Sequence, residues 1–360
     1  MDRTKQIELQ QEFIDKYLKG NKKTCYDISV RVGKTRIACL IAKELKCKKV
    51  LVLYPFEDIK NAWEEEWDKI NWKPKEVVYS TYLSIRKHIE KFDIIFGDEI
   101  QKASNDKLQA LNELLNINDN FLGLSGTYSS STKADLWQFC NLEVSETYSS
   151  EQAIQDNIIA NYQVIVKLYE LNDVKQIEKK GKKGKYYTTE KKHLKTLNNR
   201  IINTSGELQK LARLNRMRYV NNCESAKLVT KKLIKELENK RYLLYGPDIK
   251  FIEEMEIPTY HSKNLKQGNL NKFLNEEINK LGLCQLANQG VTFHNLDTII
   301  IANINSNSEN LFQKLARSLL LENNKKSIIY IISSNEYFQL KWLEKALENI
   351  PEEKIKIVKN

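Results

Sequence analysis

No apolar run in this 360-residue chain approaches the roughly 20 residues needed to cross a bilayer, and the N-terminal Met1-Asp2-Arg3-Thr4-Lys5-Gln6 lacks the apolar core of an export signal. Membrane-embedded and secreted classes are set aside on that ground. The six cysteines (Cys25, Cys39, Cys47, Cys140, Cys223, Cys284) form no Cys-x-x-Cys pair, and the four histidines (His88, His193, His261, His294) stand far apart. Neither a zinc site nor a disulfide framework is indicated, and a reduced, cytoplasmic protein is expected. No internal repeat is visible. Low-complexity sequence is confined to one lysine-rich stretch.

What is present is ample hydrophobic content, 41%, in a length that suggests about two domains. Lys and Arg number 58 against 47 Asp and Glu, a net +11 that suits a polyanionic partner such as nucleic acid and equally suits solubility. Short β-rich runs at 25–30, 49–54, 76–80, 93–96 and 121–124 alternate with helical patterns. Such alternation predicts an α/β domain with a parallel sheet covered by helices on both faces. A second series at 242–245, 258–261, 283–287, 298–302 and 327–333 predicts another. The expected organisation is a first domain over 1–150, a connecting hairpin and helical segment over 151–224, and a second domain over 225–360.

Chemistry enters at Val30-Arg31-Val32-Gly33-Lys34-Thr35, placed between an apolar strand-like run and a helical pattern from Ile37. A lysine at a helix N-terminus meets unpaired N–H groups and the positive end of the helix dipole. That arrangement suits a phosphate: Lys34 reaches the β- and γ-phosphates, and the Thr35 hydroxyl holds Mg²⁺. ATP or a relative is the expected ligand. The run Phe92-Asp93-Ile94-Ile95-Phe96-Gly97-Asp98-Glu99 delivers two carboxylates at a strand end, where ligands collect in open parallel sheets. Asp98 is expected to hold Mg²⁺ directly or through water, with Glu99 orienting and deprotonating the attacking water.

Residues 175–195 contain nine lysines against two glutamates, with Gly181 and Gly184 loosening the backbone. This suits a solvated hairpin tip and also a contact to a phosphate backbone through Lys182 and Lys183. Tyr186 and Tyr187 next to it fit base stacking or strand packing. Trp63 and Trp67, one helical turn apart, are expected in a core.

The order of motifs resembles the superfamily 2 helicases, P-loop NTPases of two RecA-like domains with a DEAD/DEAH-like box. It resembles in particular the compact bacteriophage DNA helicases related to SNF2-type translocases. Ile7 to Ile14 is similar to the family's N-terminal glutamine element, so Gln10, or else Gln11, reads the adenine. Residues 31–36, that is Arg31, Val32, Gly33, Lys34, Thr35 and Arg36, then enclose the nucleotide. Leu51-Val52-Leu53-Tyr54-Pro55 with Phe56 looks like motif Ia, and Val78-Tyr79-Ser80-Thr81-Tyr82 like the segment that meets the nucleic-acid backbone. Leu124-Ser125-Gly126-Thr127 resembles motif III, which couples the two functions. Tyr260-His261-Ser262 resembles a strand-contacting segment, Asn288-Gln289-Gly290-Val291-Thr292 resembles motif V, and Gln313-Lys314-Leu315-Ala316-Arg317 resembles motif VI. Within motif VI, Arg317 supplies the finger that stabilises γ-phosphate charge, and Gln313 positions water or phosphate. Departures from the pattern are Arg31 in place of the first loop glycine, Thr292 in place of an aspartate, and Lys314 and Leu320 in place of arginines.

The resemblance implies a nucleic-acid-stimulated ATPase hydrolysing ATP to ADP and phosphate. It implies an ATP-dependent DNA helicase or translocase of phage replication, recombination or repair, with Mg²⁺ on Thr35 and Asp98. The implied partner is single-stranded or branched DNA, with RNA left open, and the implied state is a monomer with an accessory replication or recombination protein and no membrane. Two alternatives stay open: an ATP-switched nucleic-acid-binding module, and a small-molecule phosphotransferase.

Overall fold

The computed structural model describes residues 4–359 apart from 58, 127, 182–183, 265–267, 285–292, 297, 303, 305–310, 312–313, 315–318, 320–325 and 349. The chain divides into two compact units, with the boundary after Ile159. In the first, α1 (Thr4–Lys19) precedes β1 (Lys23–Ile28), α2 (Lys34–Glu44), β2 (Lys49–Tyr54), α3 (Ile59–Lys69) and β3 (Glu76–Thr81). Then come β4 (Ile94–Asp98), α4 (Asn105–Leu115), β5 (Phe121–Ser125), α5 (Ser130–Cys140), β6 (Val144–Tyr148) and α6 (Ser150–Gln155). The six strands pair in the order β3-β2-β4-β5-β1-β6, every pair parallel.

Burial explains why this order reads as it does in the sequence. β4 and β5 are buried at every position, as central strands covered on both faces must be. The edge strands β3 and β6 alternate with exposed positions such as Glu76 and Ser145. β6 carries Ser-Glu-Thr in its middle and was not anticipated as a strand. α1 buries Leu9, Phe13, Ile14 and Tyr17, the one-sided spacing that seats a helix against a core.

The second unit opens with β7 (Tyr162–Tyr169), followed by β8 (Ile177–Gly181), β9 (Gly184–Thr188), α7 (Glu190–Ile202), α8 (Gly206–Asn221) and α9 (Glu224–Glu236). Next are β10 (Tyr242–Gly246), α10 (Ile249–Glu253), β11 (Thr259–Tyr260), α11 (Asn269–Leu274), β12 (Lys280–Cys284) and β13 (Thr298–Ile301). The remaining elements are β14 (Ser327–Ser334), α12 (Tyr337–Leu347) and β15 (Ile355–Lys359). Seven parallel strands take the order β11-β12-β10-β13-β14-β7-β15, and β8 and β9 form a separate antiparallel pair. β7 thus lies inside the second sheet between β14 and β15, although its stretch of sequence was expected to connect two domains. Among the described residues no helix is long and apolar enough to cross a membrane.

Candidate functional site

β1 ends at Ile28, and the backbone turns through residues 29–33 before α2 begins. Both Arg31, at φ 66, and Gly33, at φ 100, occupy the left-handed region. Arg31 therefore keeps the backbone region that glycine favours, at a cost of about 1–2 kcal/mol for an L-residue. Gly33 is required on a second count: a Cβ there would come within 2.4 Å of Gln10 Nε2. Two glutamines one turn apart on α1 brace the turn, Gln10 donating to Val32 O at 2.6 Å and Gln6 to Arg31 O at 2.8 Å. Gln10 is buried, while Gln11 is exposed and donates to Asp15.

Beyond the turn, the first N–H groups of α2 have no intrahelical acceptors, which leaves Lys34, Thr35 and Arg36 with donors at the sheet edge. Lys34 Nζ donates to Ile28 O at 3.3 Å. The same ammonium lies 3.2 Å from where a Cβ on Gly126 would sit, so the two segments are packed together and Gly126 leaves the ammonium its space. Val32 is fully buried, so it offers the loop only its backbone. Arg36 Nη1 is engaged by Glu66 of α3 at 2.9 Å.

At the end of β4, Asp98 accepts from Trp63 Nε1 at 2.8 Å, and its carbonyl accepts from the Tyr82 hydroxyl at 2.9 Å. Burial pushes the Asp98 carboxyl up to about 6; the Glu99 charge adds to the rise, while the Trp63 hydrogen bond and Lys34 oppose it. Glu99 is left-handed at φ 48, and Gln101 Nε2 donates to its Oε2 at 2.5 Å. Backbone held in that region by a non-glycine residue costs energy that the surrounding structure must offset. A third carboxyl, Asp27 of β1, lies 3.9 Å from Lys133 Nζ; its pKa is raised by burial and countered by Lys133 and Lys34.

Register brings the expected nucleic-acid residues of this unit to one edge. Tyr54 pairs with Thr81 and Leu53 with Gly97, so Thr81 and Asp98 end their strands at the same edge where Pro55 and Phe56 follow β2. Phe56 is 52% exposed. Tyr82 is a correction: expected on the nucleic-acid surface, it is buried at 4% exposure, with its hydroxyl committed beneath the acidic pair. Ser125 is also fully buried. Ser262 is exposed just past β11 in the second unit. Thr127, Lys182, Lys183, Gly290, Thr292, Gln313 and Arg317 lie outside the described residues. Within the motif VI stretch, Lys314 is described: its Nζ sits 5.5 Å from the Tyr245 ring centre, and burial lowers its pKa to about 8.

Residues 1–130 match the family described as Type III restriction enzyme, res subunit. No curated protein matches the chain. Among solved structures, the chain is similar to S. cerevisiae Dbp5 bound to RNA and ADP BeF3, at TM-score 0.62 and 9% identity over 98% of this chain and 89% of that one. It is similar to the DEAD-box helicase Mss116 bound to ssRNA and UDP-BeF, at 0.59 and 15% over 99% and 77%. The chain shares the fold of these two proteins, two α/β units each built on a parallel sheet. A third similar structure, the ATP-dependent Type ISP restriction-modification enzyme LlaBIII bound to DNA, gives 0.63 and 13% over 100% of this chain and 31% of that one.

Three features of the site escaped the sequence reading. Gln6 was passed over, although its spacing of four from Gln10 puts the two on one helix face. Trp63 was read as core only, yet a buried indole N–H needs an acceptor, and that requirement could have pointed to a carboxylate. Asp27 sits one residue before the end of an apolar strand, with no local pattern to single it out.

Proposed function

We propose that this chain is a nucleic-acid-stimulated ATPase that couples hydrolysis to movement along DNA. The observation that carries the reading is the placement of Lys34 Nζ and the buried Asp98 at one sheet edge, beside a glycine-dependent left-handed turn. The residues fit a magnesium nucleotide: a buried carboxyl driven up by desolvation is relieved by a cation, and the first N–H groups of α2 beyond the left-handed Gly33 suit phosphate oxygens. Thr35 and Asp98 would hold Mg²⁺, which neutralises phosphate charge when bound.

The chain's own side chains supply the rest. Lys34 leaves Ile28 O for the β- and γ-phosphates, and Gly126 gives it room to do so. Glu99, steadied by Gln101, takes the proton of the attacking water. Gln10 fixes the loop from behind and is the proposed adenine reader. Because a side chain at Gly126 would crowd the lysine, Ser125, Gly126 and Thr127 are proposed to relay occupancy of the nucleotide site. Gln313 and Arg317 are proposed to complete the charge stabilisation. Pro55, Phe56, Thr81, Ser262, Gly290 and Thr292 are proposed along the polymer backbone, which makes binding largely electrostatic and sequence-tolerant.

The test is ATP turnover with single-stranded, duplex and branched DNA and with RNA in parallel. Stimulation by DNA is expected, with loss of turnover in Lys34→Ala and in Glu99→Gln and a large reduction in Arg317→Ala. Full turnover in either of the first two variants would remove the mechanism. Stimulation by RNA alone would reassign the polymer.

A further inference from the structure

The chain's excess of positive charge is concentrated in one stretch. Residues 175–218 hold 14 Lys and Arg against 3 Glu, a net +11 equal to that of the whole chain, so the remaining sequence balances at 44 of each sign. This stretch is β8, β9, α7 and α8, the elements between β7 and α9 that take no part in the seven-stranded sheet.

It is anchored as a rigid body would be. Glu190, 1% exposed at the start of α7, accepts from Asn172 N at 2.9 Å, from Ser225 N at 3.1 Å and from Ser225 Oγ at 2.5 Å. Asn172 precedes the stretch and Ser225 follows it, so one buried carboxylate ties both ends together. Arg216 of α8 stacks 3.9 Å from the Phe338 ring centre of α12 and donates to Asn198 at 3.0 Å. A charge run serving solubility alone needs no such root.

The hairpin register sorts its side chains onto two faces. Lys180 faces Lys185, and Glu178 faces Tyr187, which puts these four on one face, while Lys179 and Tyr186 share the other. Lys179 Nζ lies 3.1 Å from His193 Nε2 of α7, so the first face is turned to solvent. Exposed Lys180 and Tyr187, at 57%, stand there, Tyr186 on the other face is 54% exposed as well, and exposed Lys191, Lys192 and Lys195 of α7 continue the charge around the other side of the arm. Fixed cations interleaved with an exposed aromatic ring match a phosphate backbone and its bases.

We propose that α7, α8 and the described residues of β8 and β9 form an anchored arm that grips the nucleic-acid backbone whether or not nucleotide is bound. This rests on nucleic acid being the partner of the chain, and adds a second, nucleotide-independent contact surface to it. The arm holds the polymer by charge, and hydrolysis is left to the first unit.

The test is binding of a labelled single strand and a labelled duplex to full-length protein without nucleotide, across a salt series. The variant is Lys180→Gln, Lys191→Gln, Lys192→Gln and Lys195→Gln combined, with Lys232→Gln, Lys235→Gln and Lys240→Gln as a control set. Each lost phosphate contact removes about 0.7 (single strand) to 0.9 (duplex) from the slope of log affinity against log salt. The arm variant is expected to lose roughly 2 or more in slope and at least about tenfold in affinity near 0.1 M salt. Its melting temperature and its turnover at saturating DNA are expected to stay at the parent values. A slope matching the parent and control proteins would overturn the proposal. If no polymer stimulates turnover yet the slope still falls in the arm variant, the arm stands while the motor reading fails.

Discussion

Replacing Trp63 with phenylalanine removes one N–H from the acidic pair and little else. The smaller ring can keep stacking on Phe96 and Trp67, whose centres lie 5.4 and 6.1 Å from that of the indole. What disappears is the 2.8 Å bond to Asp98 Oδ2, both partners being buried. A hydrogen bond to an ionised acceptor contributes about 1.5–3 kcal/mol, which corresponds to roughly one to two pKa units. The bond now holds the Asp98 carboxyl down against burial, at about 6. Without it the carboxyl rises further and is largely protonated at neutral pH. The acid limb of the ATP turnover profile is therefore expected to move roughly one to two units toward alkaline pH.

Stability gives an independent readout. The folded carboxyl titrates above its ordinary 3.8, so its stabilising contribution is complete below 3.8 and is lost as pH rises through about 6. In Trp63→Phe that loss extends to higher pH. The melting-temperature difference between parent and variant should be small at acid pH and grow toward alkaline pH, by roughly 2–4 °C for each kcal/mol. Any cavity left by the smaller ring adds a pH-independent offset and is separated on that basis. An unmoved acid limb together with a pH-independent difference in melting temperature would refute the reasoning.

Two further outcomes follow from the phosphate turn. Gly33→Ala places a methyl group 2.4 Å from Gln10 Nε2 at φ 100, so calorimetric ATP affinity should fall by roughly 5- to 30-fold for a strain of some 1–2 kcal/mol, with the circular dichroism spectrum retained; parent affinity would show that the turn does not cradle phosphate. Arg31→Gly relieves left-handed strain at φ 66 but adds freedom to the unfolded chain, so urea unfolding should report a gain of up to about 1 kcal/mol. A loss of more than about 1 kcal/mol would mean that the Arg31 side chain itself secures the loop.

How much of this could be read from the sequence depended on whether the signal was local. β2, β4, β5, β10 and β13 are buried nearly throughout, and their continuous apolar runs announce them. β6 is an edge strand with Ser-Glu-Thr in its middle, which reads as a loop, whereas β15 carries a short Ile-Lys-Ile-Val-Lys alternation that is a strand signal and was passed over. β7 shows a different failure. Its apolar content was legible, but its membership was not, because parallel pairing to β14 and β15 joins residues more than 150 positions apart and leaves no local trace. The site behaves in the same way. Lys34, Asp98 and Glu99 are visible from spacing, whereas the Gln6, Gln10, Trp63 and Tyr82 contacts that hold their backbones are decided by tertiary packing.

Those four contacts also explain how two non-glycine residues come to sit in a disfavoured backbone region at the same sheet edge. Arg31 and Glu99 each carry left-handed strain, and such strain persists only where surrounding structure over-determines it. Gln6 grips the carbonyl of Arg31 itself, and Gln10 that of Val32. Trp63 and Tyr82 grip the side chain and carbonyl of Asp98, the residue before Glu99. Each brace comes from an element outside the turn it stabilises: α1 for the phosphate turn, and α3 and the 3₁₀ turn Tyr82–Lys87 for the acidic pair. The geometry of the first unit is thus fixed by its own packing before any ligand arrives. The Lys34 ammonium, by contrast, is held by a longer bond of 3.3 Å to Ile28 O, and a side chain at Gly126 would crowd it.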